Sequence, residues 1–271
     1  MTGREIRLNR LFSNGENAVV VAVDHGEFDG PLPGMIGLPE VVKRIDPSVS
    51  AVLLSPGMLA HCGHAFSYQG APMAIVRLNW STVYAFHWGY NDAETVKAMS
   101  AKDAVAAGAE IALVSLTLKT GSEGRDAANV KVFCKLVNEA KRLGLPVVGE
   151  FFPAYSDKLS DDDMHEQVYR CCRIVAELGA DLIKTFHTRK FGEVTASCPI
   201  PILGLGAEKM PKQLQALELA ERIVQDGGRG VVFGRNAIQV PDPAALQRAL
   251  CDVVKQGVSA QEAAKQYRLK D

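Results

Sequence analysis

The segment Gly179-Ala180-Asp181-Leu182-Ile183-Lys184-Thr185-Phe186-His187-Thr188 is a short apolar run closed by polar residues and by Arg189-Lys190. It reads as a buried strand whose last residues reach the open end of a sheet. An amine held on a rigid element among apolar neighbours sheds its proton more easily than one in water, and a neutral amine can attack a ketone or aldehyde carbon. Lys184 is therefore a candidate imine-forming nucleophile. The plainer alternative is a lysine that snorkels from a strand end. Other apolar runs end in residues that could serve such chemistry. The first ends in Asp24-His25-Gly26, the third holds Arg77 and ends in Asn79, and the fourth is followed by Lys119, Gly121 and Glu123. The fifth carries Glu150 and ends in Phe152-Pro153-Ala154-Tyr155; the sixth ends at Lys184 and His187. The last two end at Gly206 with Lys209, and at Gly234-Arg235-Asn236. Carboxylates and a lysine facing anion binders suit a carbonyl compound bearing phosphate, because glycines let backbone N–H groups approach an oxyanion.

Eight runs of this kind must hold those residues: Ala18–Val23, Ala51–Leu54, Met73–Leu78, Ile111–Leu116, Pro146–Phe152, Asp181–Lys184, Pro201–Leu205 and Gly230–Phe233. Helical patterns alternate with them over Ala93–Ala107, Ala127–Arg142, Asp161–Leu178, Lys212–Asp226 and Pro243–Lys255. Gly144, Gly179 and Gly227-Gly228 sit where helix C-caps belong, and Ser160 ahead of three aspartates reads as an N-cap. Near-continuous apolar strands alternating with helices mean parallel strands covered by helices, and eight of them favour an α/β fold closed as a (β/α)8 TIM barrel. An open doubly wound sheet is the runner-up. A lead-in helix is expected over Arg4–Ser13 and a closing one over Ser259–Tyr267, with residues 1–271 forming one domain. In such a barrel the chemistry sits at the carboxyl ends of the strands.

The chain has 271 residues, and its 30 Lys and Arg against 31 Asp and Glu give a net charge of −1. That balance provides no field for nucleic acid or an anionic membrane, so anion binding falls to local residues. Neither a secretion signal nor a span long enough to cross a bilayer is legible, and a cytoplasmic location is expected. Six cysteines without a C-x-x-C pair read as reduced thiols. His61, Cys62 and His64 crowd together, yet without further ligands at suitable spacing they read as a loop rather than a metal site. Several candidates have structural alternatives: Asp24 as a loop cap, His25 as a backbone partner, His187 as packing and Arg235 as a surface ion pair. The aromatic-rich segment of Trp80, Tyr84, Phe86, His87, Trp88 and Tyr90 reads first as packing, then as an active-site cover or a subunit contact.

Asp24-His25-Gly26, Asp181-Leu182-Ile183-Lys184-Thr185, Pro199-Ile200-Pro201 with Gly206, and Gly234-Arg235-Asn236 together resemble the DeoC/FbaB/LacD class I aldolase family. The likeness is strongest toward its archaeal-type fructose-bisphosphate aldolase and LsrF-like thiolase branches, and it spans nearly the whole chain. The resemblance implies a (β/α)8 barrel without a metal and without a cofactor beyond a covalent imine on Lys184. It makes Asp24 an acid, base or orienting carboxylate, and places Gly206, Gly234 and Arg235 around a substrate phosphate. Large ring or stacked homo-oligomers are also implied. One departure is plain: the fructose-bisphosphate aldolases carry a proton-transferring tyrosine where this chain has Phe152. Tyr155, Glu150 and His187 are the neighbours that could take its place, and His25, Arg77 and Glu150 are read as substrate contacts. The resulting expectation is aldol cleavage or formation in a phosphorylated keto sugar. Alternatives are thiolase-like acyl transfer from a phosphorylated dione to coenzyme A as co-substrate, and a catalytically silent barrel that binds sugar phosphate.

Overall fold

The computed structural model describes residues 2–90 and 92–269, so Met1, Asn91, Lys270 and Asp271 of the expected 1–271 span lie outside the described residues. Ten strands are present among them. They are β1 (Ala18–Ala22), β2 (Ala51–Leu54), β3 (Met73–Arg77), β4 (Asn79–Ser81) and β5 (Thr95–Lys97), then β6 (Ile111–Leu116), β7 (Val147–Phe151), β8 (Leu182–Phe186), β9 (Ile202–Leu205) and β10 (Gly230–Phe233). Eight of them close in the order β1-β10-β9-β8-β7-β6-β3-β2, every neighbour parallel. This is the (β/α)8 barrel the alternation implies, and helices cover it from outside.

Side chains of a strand alternate between two faces, and here the alternation sorts the chain into two cores. Val19, Val21, Val52, Val76 and Ile183 point outward and pack with helix residues such as Phe133, Val175 and Ile223. Val20, Leu53, Ile75, Leu113, Val148, Leu182 and Leu203 point inward and fill the barrel. The first helix, Gly3–Leu11, starts in a capping box between Thr2 and Glu5 and brings Leu8, Leu11 and Phe12 against that inner cluster.

The expected helix over Ala93–Ala107 needs correction. Residues 95–97 form β5, antiparallel to β4, and the helix occupies only Ala101–Ala106. Thr95-Val96 is β-branched and favours extended backbone, while Ser100 accepts a hydrogen bond from Asp103 N and starts the helix there. The run expected over Asp181–Lys184 also differs: as β8 it goes two residues past Lys184, so the lysine sits mid-strand rather than at the end. The preceding Asp181 accepts a hydrogen bond from Val147 N at 2.8 Å and acts as a structural tie. Ser160 caps Asp161–Glu177 as expected, and Gly144, Gly179 and Gly227 adopt positive φ where helices end.

Candidate active site

Following each inward-facing series upward explains what gathers at the carboxyl end. Met73 and Ile75 lead to Arg77, Val148 leads to Glu150, Leu182 leads to Lys184, and Val20 and Ala22 lead to Asp24. Every second residue shares a face, so apolar layers below and a charged layer above are written into the same strands. The charged layer forms the base of a cavity of about 790 Å³, walled by Phe28, Phe86, Phe152 and Phe186 on one side and by Gly206, Ala207, Gly234 and Arg235 on the other.

Register makes the central pair. Glu150 on β7 lies directly beside Lys184 on β8, and Lys184 Nζ is 2.5 Å from Glu150 Oε1. The other carboxylate oxygen, Oε2, takes Arg77 Nη1 at 2.7 Å and a hydrogen bond donated by the Tyr84 hydroxyl at 2.7 Å. Arg77 Nε and Nη2 both reach Asp24 Oδ2 at 2.8 Å. The guanidinium also lies 4.9 Å from the Tyr84 ring centre and 5.1 Å from that of Phe28, a cation–π arrangement with two neighbouring rings. All four charged groups are buried. Burial alone would raise the Glu150 carboxyl, but Arg77 and then Lys184 outweigh it and hold it at about 2. Asp24 behaves alike: burial pushes it up, while Arg77, Lys184 and His25 bring it below the ordinary carboxylate range. The Tyr84 phenol goes the other way, since burial and then Glu150 keep it protonated well above its usual range.

The opposite wall of the cavity comes from the last two strands. Asn236 donates to Gly206 O and Glu208 O, both at 2.8 Å, and accepts from Met210 N at 2.8 Å, which pins the loop after β9. Within that loop Ala207 holds a φ of 50°, an uncommon conformation for a residue with a side chain. Its carbonyl accepts from Arg235 Nη2 at 3.0 Å, whereas Arg235 Nε is buried with no hydrogen-bond partner among the described residues. Gly234 has to be glycine, because a Cβ there would lie 2.2 Å from His25 Cε1. His25 thus seals the corner between β1 and β10, and burial lowers its proton affinity against the pull of Asp24.

Lys184, Asp24, His25, Arg77, Glu150, Gly206, Gly234 and Arg235 all line the one cavity. Arg77 and Glu150 do so as members of an internal ion network, with polar atoms facing Asp24, Lys184 and Tyr84. Tyr155 and His187 are not brought to it. His187 lies three residues beyond Lys184 and so on the opposite face; its Nε2 is 2.8 Å from Asp226 Oδ2 and its ring packs on Phe191. Tyr155 leaves β7 through a left-handed turn with φ 54° and lines a neighbouring pocket with Tyr90 and Lys158. Lys119, Gly121 and Glu123 build the entry to the helix Glu123–Arg142, whose N-cap is Ser122. Asn79 works structurally: its side-chain amide exchanges two 2.8 Å hydrogen bonds with the Ser115 backbone. No group of three or more His, Cys, Asp or Glu poised for a metal occurs among the described residues, and His64 instead reaches Pro39 O.

Tyr84 escaped the sequence reading as a site residue. It arrives from the turn after β4, in a segment whose aromatic density reads as packing. The Phe152 ring centre lies 4.7 Å from its own, so the chain has a phenol beside the position where it carries phenylalanine. Nothing in the spacing of residues 79–97 points to that placement.

Charged side chains gathered at the carboxyl end of a closed parallel barrel mark the chain as a barrel enzyme. Residues 18–240 match the family model described as DeoC/LacD family aldolase, and the chain belongs to that family. It is 32% identical over 272 residues to an uncharacterised aldolase of Saccharolobus solfataricus, covering 98% of this chain and 99% of that one. It is 30% identical over 269 residues to the 3-hydroxy-5-phosphonooxypentane-2,4-dione thiolase of Klebsiella pneumoniae, covering 96% and 84%. Among solved structures, a Schiff-base-forming fructose-1,6-bisphosphate aldolase superposes with a TM-score of 0.76 at 25% identity, covering 93% of this chain and 99% of that one. An archaeal fructose 1,6-bisphosphate aldolase gives a TM-score of 0.77 at 23% identity, covering 93% and 98%.

Proposed function

We propose that the protein is a class I aldolase that opens or forms a C–C bond in a phosphorylated keto compound through an imine on Lys184. The observation that carries this reading is the placement of the Lys184 amine at the base of an open cavity whose far wall offers Arg235 and the loops at Gly206 and Gly234 to an anion. The amine adds to the ketone carbon and water leaves. The resulting protonated imine draws electrons from the adjacent C–C bond, which breaks to an enamine and an aldehyde. Asp24, fixed by Arg77 through one oxygen, presents the other toward His25 at 3.9 Å and serves the proton transfers of the bond-breaking step. The superposable Schiff-base-forming aldolase supports the mechanism, and the aldolase family supports the reaction class.

Likeness to the dione thiolase, together with Phe152 lacking a hydroxyl, favours a second reading: acyl transfer from a phosphorylated dione to coenzyme A. Borohydride added to enzyme and a ketose phosphate should fix substrate mass on the peptide that holds Lys184. Absence of any adduct on that peptide sinks the imine reading. Consumption of free thiol when coenzyme A is supplied separates acyl transfer from aldol cleavage.

A further inference from the structure

Above the charged layer the inward faces carry a third one, and on one side of the barrel it is aromatic. Phe186 stands two residues beyond Lys184, and Phe152 two beyond Glu150, so parity turns both rings into the cavity. Their centres are 5.0 Å apart. Phe152 also meets Tyr84 at 4.7 Å and Phe86 at 6.2 Å, and Tyr84 meets Phe28 at 4.7 Å. An unbroken arc of rings thus runs from β8 over β7 and the β4–β5 hairpin to the helix Gly26–Asp29. Phe152 and Phe186 are only half-buried, and their open faces line a cavity of about 790 Å³, a size that takes drug-sized ligands.

Charge around the cavity is sorted in the same way. On the β9–β10 side Arg235, with its buried and unpartnered Nε, and the backbone at Gly206 and Gly234 suit an anion, while Glu208 and Lys209 of that wall offset one another in charge. On the aromatic side the lining includes Asp29 and Asp157. His87 is the basic group there; it is exposed and faces Asp29 at 3.8 Å. Lys158 belongs to the neighbouring pocket, its amine 5.6 Å over the Tyr155 ring. A phosphate on this side would give up hydration against rings and meet carboxylates in place of cations. A hydrocarbon group would instead complete the burial of the ring faces.

We propose that the rings of Phe28, Phe86, Phe152 and Phe186 form a subsite for the half of the substrate remote from its phosphate, and that this half is uncharged and apolar. The enzyme then handles keto monophosphates that release, or are built from, an aliphatic or aromatic aldehyde. This rests on the imine reading of Lys184 given above. In the direction of synthesis the enamine of the bound keto phosphate attacks the aldehyde carbon. The C–C bond forms as the aldehyde π pair moves to oxygen, and the nitrogen lone pair restores the imine. The oxygen takes up the proton that enamine formation released, no group leaves, and water then frees the Lys184 amine. No part of this step needs a charge on the aldehyde, whereas a keto bisphosphate would press its second phosphate toward the rings, Asp29 and Asp157.

The test measures kcat/KM for aldehydes added to dihydroxyacetone phosphate, while borohydride traps the adduct on Lys184 in parallel. Along acetaldehyde, propanal, butanal and pentanal the value should rise roughly threefold per methylene, the worth of one buried CH2. Glyceraldehyde 3-phosphate should be roughly 100-fold poorer than butanal. Phe86 is the exposed ring of the arc, so exchanging it spares the core. Phe86→Arg should raise the value for glyceraldehyde 3-phosphate by roughly tenfold and lower that for butanal, and Phe86→Leu should keep the wild-type order. A flat aldehyde series, or glyceraldehyde 3-phosphate as good as butanal, overturns the proposal while the Lys184 adduct still forms. So does a Phe86→Arg enzyme that keeps a native melting transition and the wild-type ratio of the two aldehydes. Absence of the adduct on Lys184 instead overturns the imine reading itself, and the subsite with it.

Discussion

The lower and upper halves of the barrel interior are made by the same strands and differ in kind. Below, Val20, Leu53, Ile75, Leu113 and Val148 fill the lumen, and the helix Gly3–Leu11 closes it with Leu8, Leu11 and Phe12. Above, two residues further along those strands, Arg77, Glu150 and Lys184 share one buried charge network with Asp24. The lower half gains from apolar burial that any well-packed set of side chains could supply. The upper half gains little net stability from its ion pairs, because desolvation offsets much of their attraction. What it gains is geometry: each charged atom has one position. Stability and chemistry are thus stacked along the barrel axis.

Substitutions should separate the two halves. The largest effect is expected from Lys184→Met, which keeps the volume and removes the amine. It should lower kcat/KM by roughly 10^4-fold or more, abolish borohydride labelling and leave the circular dichroism spectrum unchanged. Label appearing on Lys119 or Lys209 would contradict the assignment. In the lower half, Leu113→Ala should behave oppositely. Denaturant titration should show a loss of about 2–5 kcal/mol, the range for a fully buried leucine, while activity per folded molecule stays at the wild-type level. A catalytic defect without a stability defect would break the comparison.

Arg235→Ala should weaken the reaction of phosphorylated substrates by about 1.5–3 kcal/mol in kcat/KM, the worth of a hydrogen bond to a charged group, and affect unphosphorylated analogues far less. Equal losses in both would make Arg235 structural. The smallest effect concerns Glu27, beside the network, whose Oε2 is buried without a hydrogen-bond partner among the described residues. Burial raises its carboxyl to about 8 from an ordinary value of 4.5. A folded-state value above the unfolded one means its contribution is fully present below pH 4.5 and fades as pH rises to about 8. Glu27→Gln should therefore melt higher than wild type above pH 8, by roughly 1–2 kcal/mol, and the two should converge in acid. Parallel melting curves at every pH would refute this.

Much of the fold was legible because eight apolar runs bounded by turn residues leave few alternatives to a parallel sheet, and each run fell on a barrel strand. The site was partly legible for the same reason: Asp24, Glu150, Lys184 and Arg235 all follow apolar strand residues. His187 shows where position alone misleads. Counting by twos from Leu182 through Lys184 to Phe186 puts His187 outside, so parity carried information that its nearness to the strand end did not. Tyr84 shows the opposite failure. No periodicity within the segment 79–97 says that the hairpin turns its phenol down onto a carboxylate carried by β7; that follows only from tertiary packing, here Phe28 and Phe152 around the ring.

The seam between β1 and β10 has a kinetic consequence. There Gly230, at φ 137°, lets its backbone press against Ala18, where a Cβ would lie 2.0 Å from the carbonyl oxygen. The seam joins the first and last barrel strands, so its contacts span most of the chain, and closing a loop of that length is slow relative to pairing neighbours such as β7 and β8. Lys184 and Glu150 can meet as soon as their adjacent strands pair. The corner of His25 and Gly234 exists only after the first strand has found the last. The corner therefore depends on the longest loop closure in the barrel, whereas the Lys184–Glu150 pair depends only on the pairing of strands that are neighbours in the chain.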